Sequence, residues 1–202
     1  MAESVSFESQ SERRRAQLIQ TAGRLIEAEG LEAATMAAVA ERAGCTRALV
    51  HVYFRRREDL LQAVVVESFD KLTTRLAAID GLFDAQSPAD DLLSRTDAAL
   101  AAGWDLIEEG GFVGLIMVTA THAGPSLADF IEGLRRPIIE QFVRLFSTKL
   151  SPDEAEMLME LNVAAAYRLA LKRRSGEITR DEAVALWQHY TRHLIHGFTS
   201  DI

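Results

Sequence analysis

The sequence predicts an all-α chain, on three observations. Apolar residues recur at three- and four-residue spacing almost to the end, β signals are nearly absent, and Ser/Thr, Gly and Pro punctuate the pattern where helices should start and stop. A length of 202 residues with 48% apolar content supports a real core. It suits one small helical domain over residues 11–60 and a larger one over 61–202, behind a Ser/Glu-rich tail, 1–10, expected to be disordered.

Residues 35–54 read as two short helices meeting at Ala43-Gly44-Cys45, a helix-turn-helix. Thr35 and Thr46 offer capping hydroxyls, and Gly44 can adopt the positive φ that a tight turn needs. On the second helix Arg47 and His51 lie one turn apart and share a face, with Tyr53 near the end. Such a helix fits the major groove of double-stranded DNA.

The order and spacing of Leu18-Ile19, Leu25-Ile26, Gly30, Thr35, Val39-Ala40, Ala43-Gly44, Tyr53-Phe54, Arg57-Glu58 and Leu60-Leu61 resemble the DNA-binding domain of the TetR family of bacterial transcriptional regulators. The resemblance covers the first third of the chain. It implies a three-helix helix-turn-helix domain, a C-terminal helical domain for ligand binding and dimerisation, and a repressor released from its operator by a small molecule. Three residues depart from the family's usual pattern: Ala48 stands for a glycine, Leu49 for a polar residue and His51 for a tyrosine. Ala48 and Leu49 offer apolar contact, for example to a thymine methyl, so the operator sequence does not transfer from relatives.

Arg47 suits guanine O6 and N7, with a phosphate contact or a solvated arginine as the competing reading. Tyr53 and Arg57 suit phosphates, and Thr46 suits both the cap and the DNA backbone. The expected DNA-binding set is thus Thr35, Thr46, Arg47, Ala48, Leu49, His51, Tyr53 and Arg57. Arg13, Arg14 and Arg15 form a basic run read as a solvated face or an arm along the duplex.

A net charge of −8 looks wrong for such a partner, but its distribution resolves the conflict. Residues 12–57 hold nine Arg against five Glu, whereas residues 61–202 hold 13 Lys/Arg against 21 Asp/Glu. Counterion release depends on local phosphate contacts, so the acidic part should face away from DNA.

Beyond the motif, Leu61, Val64, Val65, Phe69, Leu72, Leu76 and Ile79 predict a linking helix over 58–80, stopped by Gly81. Ser87-Pro88-Ala89-Asp90 opens a helix lasting to Gly110-Gly111, and the apolar run 112–121 reads as a buried helix, for lack of a partner strand. Another helix is expected from Leu127 to Lys149, kinked or restarted at Pro137. Ser151-Pro152-Asp153-Glu154 and Thr179-x-x-Glu182 start the last two helices. Leu158, Leu161, Ala165, Leu169, Ala183, Leu186, Tyr190 and Leu194 put apolar surface on that pair, where the resemblance implies a homodimer seam through a four-helix bundle, with packing on the chain's own core as the competing reading. An inverted-repeat operator matches such two-fold symmetry.

Trp104, Phe112, Met117, Phe130, Phe142 and Tyr167 are candidates for an apolar effector pocket, with Thr121 and His122 (beside Thr119) adding polar contacts. Ordinary core packing is the competing reading for each aromatic. His189, His193 and His196 share a helix face, yet no cysteine or acid cluster joins them, so no metal and no cofactor is expected. A single cysteine, no signal segment and no membrane-length apolar stretch point to a cytoplasmic protein without a membrane partner, and with no nucleophile-base pair or carboxylate-histidine cluster visible beyond the three histidines no enzyme is expected. The alternatives are an all-α metal- or cofactor-dependent enzyme and a DNA-binding module without effector.

Overall fold

The computed structural model describes residues 2–78, 92–111, 124–146 and 150–200, and every regular element among them is helical. Helix α1 (Ala2–Glu29) leads through a 3-10 turn (Leu31–Ala33) to α2 (Met36–Arg42), α3 (Arg47–Tyr53) and α4 (Arg57–Ala77). Then follow α5 (Leu92–Leu106), which runs on into a π-helical turn (Ile107–Gly111), α6 (Pro125–Phe146), α7 (Pro152–Arg174) and α8 (Arg180–Ser200).

The all-α expectation holds throughout the described residues, but several boundaries move. Residues 2–10, expected as a disordered tail, continue α1. No Gly or Pro interrupts them, and extending an existing helix costs far less than nucleating one. Helix α6 begins at Pro125, directly after Gly124 at φ 87°, and stays helical through Pro137. The proline removes the N–H that would serve the Gly133 carbonyl, and Gly133 is exposed, so water can replace that donor. The expected start at Ser87-Pro88 and the run 112–121 lie outside the described residues.

Capping chemistry accounts for the last two helix starts. Ser151 Oγ accepts from Glu154 N (3.3 Å) while the Glu154 carboxylate accepts from Ser151 N (2.7 Å). Thr179 and Glu182 repeat the exchange at 3.2 and 2.8 Å. Accepting the Thr179 N–H, and then its hydroxyl, holds the Glu182 carboxyl below its ordinary pKa.

One contiguous core crosses the expected boundary between residues 60 and 61. Leu18, Ala22 and Ile26 of α1 meet Val39, Val50 and Phe54, and the same cluster continues along α4 through Leu61, Val65, Phe69 and Leu76 to Leu127 and Leu158. Helix α4 therefore belongs to both layers, packing on α1 and on α5 and α6. A smaller cluster joins Leu100 and Trp104 of α5 to Ala166 and Ala170 of α7 and Ala183 and Trp187 of α8. Arg192 of α8 grips the Asp97 carboxylate of α5 in a two-pronged pair, Nε lying 3.0 Å from Oδ2.

Candidate nucleic-acid interface and effector cavity

The α2–α3 unit is built as the sequence predicts. Thr35 Oγ1 accepts from Ala38 N at 3.1 Å and Thr46 Oγ1 from Leu49 N at 3.2 Å, so each hydroxyl caps its helix. Gly44 takes φ 65°, and Cys45 N returns to the Ala40 carbonyl at 2.9 Å. This turn crosses α3 over α2 with Val39, Ala40 and Val50 buried between them.

Fixing Val50 inward fixes what α3 shows to solvent. Arg47, Ala48, His51 and Val52 are exposed, whereas Leu49 and Tyr53 are half-buried. Arg47 has no ion-pair partner among the described residues, leaving its guanidinium available to DNA. His51 Nδ1 lies 3.3 Å from the Arg55 carbonyl, which orients the ring along the end of the helix. Tyr53 packs against the core with part of its surface outward.

Arg57 has a different setting from the one expected. Its Nε donates to the Ala34 carbonyl (3.0 Å) and its guanidinium to the Leu31 carbonyl (2.6 Å), with Glu32 at 3.4 Å. It thus ties the start of α4 to the 3-10 turn before α2, which only long-range geometry reveals. Arg15 is similarly occupied, its guanidinium carbon 5.2 Å from the Phe54 ring centre. Arg14 reaches Gln17 at 2.8 Å and stays on the exposed face.

Away from this surface, residues of α4 to α8 line a half-open apolar cavity of about 200 Å³. Phe142 lines it, together with Phe69, Leu72, Ile138, Leu158 and Trp187. The other aromatic candidates sit elsewhere. Trp104 is fully buried behind Trp187, the two indoles meeting edge to face at 6.1 Å. Phe130 packs on the main core and Tyr167 on the smaller cluster, and neither lines the cavity. Phe112, Met117, Thr121 and His122 lie outside the described residues.

Polar groups in the wall are mostly spoken for. Thr191 Oγ1 donates to Asn162 Oδ1 (2.6 Å), and Asn162 Nδ2 to the Leu158 carbonyl (2.8 Å). The Thr96 and Ser68 hydroxyls donate to carbonyls of their own helices. Trp187 Nε1 is buried without an acceptor among the described residues. No described lining residue is charged, so an ionic occupant would lose its hydration uncompensated there.

On the outer side of α7 and α8, Met157 and Leu186 are each 50% exposed and Tyr190 39%. Leu186, His189, Tyr190 and His193 form an outward stripe on α8, and the two imidazoles meet edge to face at 4.4 Å. Leu158 and Ala183, expected in the seam, are instead buried within the chain. Among the described residues no three His, Cys, Asp or Glu side chains gather closely enough to hold a metal ion. No described helix is long and apolar enough to cross a membrane.

Comparison with known proteins agrees with this geometry. Residues 18–64 match the family model of bacterial regulatory proteins of the tetR family. The chain is 35% identical over 77 residues to the HTH-type nicotine-responsive transcriptional repressor HdnoR of Paenarthrobacter nicotinovorans, an alignment covering 38% of this chain and 40% of that repressor. The match therefore spans less than half of that relative's length. Among solved structures, a TetR-like transcriptional regulator from Rhodococcus sp. RHA1 superposes with a TM-score of 0.67 at 18% identity, covering 91% of this chain and 96% of that one. The fatty acid degradation regulator FadR of Bacillus halodurans gives a TM-score of 0.69 at 14% identity, covering 91% and 95%. At these identities the structures speak for the fold.

Proposed function

We propose that this chain, through residues 18–64 a member of the tetR family of bacterial regulatory proteins, is a homodimeric transcriptional repressor that leaves its operator when an uncharged apolar molecule enters the α4–α8 cavity. The observation that carries the DNA half is the exposed side of α3, where Arg47 and His51 share a flank of a helix anchored inward by the buried Val50. Arg47 reads a base edge, whereas Thr46 and Tyr53 steady the helix against phosphates. The α7–α8 stripe pairs two chains, and two α3 helices then meet successive major grooves about 34 Å apart.

The effector half rests on the cavity. An apolar void of about 150 Å³ is enough for benzene, so this one suits a one- or two-ring molecule. Its lack of charged lining favours a neutral ligand. Helix α4 carries the signal, because Phe69, Leu72 and Leu76 face the cavity while Arg57, at its start, holds the turn before α2. A ligand that shifts α4 therefore shifts α3 in each subunit and changes the distance between the two reading heads.

Binding-site selection from genomic DNA, followed by footprinting, tests the proposal. An inverted repeat should emerge, and Arg47→Ala should relax preference at one base pair per half-site by about 1–3 kcal/mol. A folded protein that enriches no inverted repeat would refute the reading. Equal losses on all sequences would move Arg47 to the phosphate class. For the effector, a small aromatic library is screened for operator release. Calorimetry of any hit with and without operator must then give the same coupling factor in both directions.

A further inference from the structure

Val52 is 75% exposed, the most exposed of the large apolar side chains on the described surface; the next, Met157 and Leu186, stand at 50%. It sits near the end of α3, a helix of seven residues. At about 100° per residue, Ala48 and Val52 each lie about 160° from the buried Val50. They form the outermost line of the helix, with Arg47 and His51 on one flank and Leu49 and Tyr53 on the other. What this helix presents furthest from the protein is therefore a row of methyl groups, not a row of hydrogen-bonding groups.

A β-branched residue here strengthens neither the helix nor the core: valine is a poorer helix former than alanine, and the side chain buries little within the chain. A partner surface seated on α3 would bury it. The partner that fits α3 is the major groove floor, where the C5 methyl of thymine is the one apolar group a base pair displays. The surrounding charges favour DNA over another protein surface, since Arg55 is exposed just beyond Val52 and Arg47 is exposed at the start of the same helix.

We propose that Val52 is a specificity-determining residue that packs on a thymine C5 methyl, one per half-site. This rests on operator binding by α3 as proposed above, and the test separates the two claims. Once a site has been selected, each thymine of a half-site is replaced in turn by deoxyuridine, which pairs identically but lacks the methyl. Wild-type protein should lose about four-fold in affinity at one position, the equivalent of burying one methyl group. Val52→Ala should bind the thymine site more weakly and lose its sensitivity to that same deoxyuridine exchange. Circular dichroism should show both proteins equally helical, because the side chain is exposed.

Several outcomes would overturn the assignment. Wild-type protein could be indifferent to deoxyuridine at every thymine, or Val52→Ala could keep the full thymine preference. Equally, the variant could alter self-association while leaving DNA affinity unchanged, which would make Val52 a protein contact. In each case operator binding survives. Failure to select any site removes both claims together.

Discussion

Arg57 and Ala34 are joined by a hydrogen bond of 3.0 Å from Nε to the carbonyl, across 23 residues of sequence. With the second bond to Leu31, the guanidinium closes the backbone of the 3-10 turn against the start of α4. Arg57→Met should therefore lower stability by about 1–2 kcal/mol through two carbonyls left to find other donors, before any effect on DNA is counted. Urea unfolding measures this. Unchanged stability with weakened DNA binding would return Arg57 to a phosphate role alone.

Gly103 lies inside α5 and on the cavity wall, and a Cβ there would touch Trp187 Cη2 at 3.7 Å, an ordinary contact. Gly103→Ala should stabilise the protein by about 0.5–1 kcal/mol by favouring the helix. It should also narrow the cavity and weaken an effector that fills it. A fall in the melting temperature would mean that the Trp187 edge packs more tightly than described.

Leu186→Glu should yield a folded monomer with reduced operator affinity. The side chain is half exposed in the single chain, so folding tolerates the charge, whereas two-fold pairing would bring it into the seam and leave it desolvated. Light scattering coupled to size exclusion reads the mass. A dimer of unchanged stability would move the interface off this stripe.

Acid should loosen α8 at its start. The folded Glu182 carboxyl titrates below its ordinary value because the Thr179 N–H and hydroxyl both donate to the charged form. Its contribution is thus full above the unfolded carboxylate value of about 4.3 and is lost as pH falls through the folded value. Glu182→Gln can still accept from Thr179 but cannot titrate. The melting-temperature gap between wild type and this variant should hold steady above about pH 5 and close below it. A pH-independent gap would remove Glu182 from the acid response.

Among the described residues, helix order and caps were legible in the chain because they are written locally. Thr35, Gly44, Thr46, Ser151 and Thr179 carry their signals within four residues of where they act. The roles of Arg57 and Arg15 were not legible, since their partners lie 23 and 39 residues away and look like any surface arginine's until the turn exists. Of the described pocket candidates only Phe142 lines the cavity. Periodicity says that Trp104 points inward, but not that Trp187 stands between it and the void. Val52 is the converse case: its two-residue offset from Val50 sets it on the opposite side of a helix, but only the observed burial, 75% against 0% exposed, makes it the outermost apolar side chain.

The unbroken core along α4 also has a bearing on how the chain comes apart. Val64 and Val65 are buried beyond residue 60, so a fragment cut there would lose part of the floor on which α1 rests. A core shared in this way predicts one cooperative unfolding unit, in which native-state hydrogen exchange along the buried face of α4 should report a single opening free energy from Leu60 to Leu76. A mutation that merely softens the cavity would then lower the amount of folded protein, and with it occupancy of DNA, through the same helix proposed to transmit effector binding.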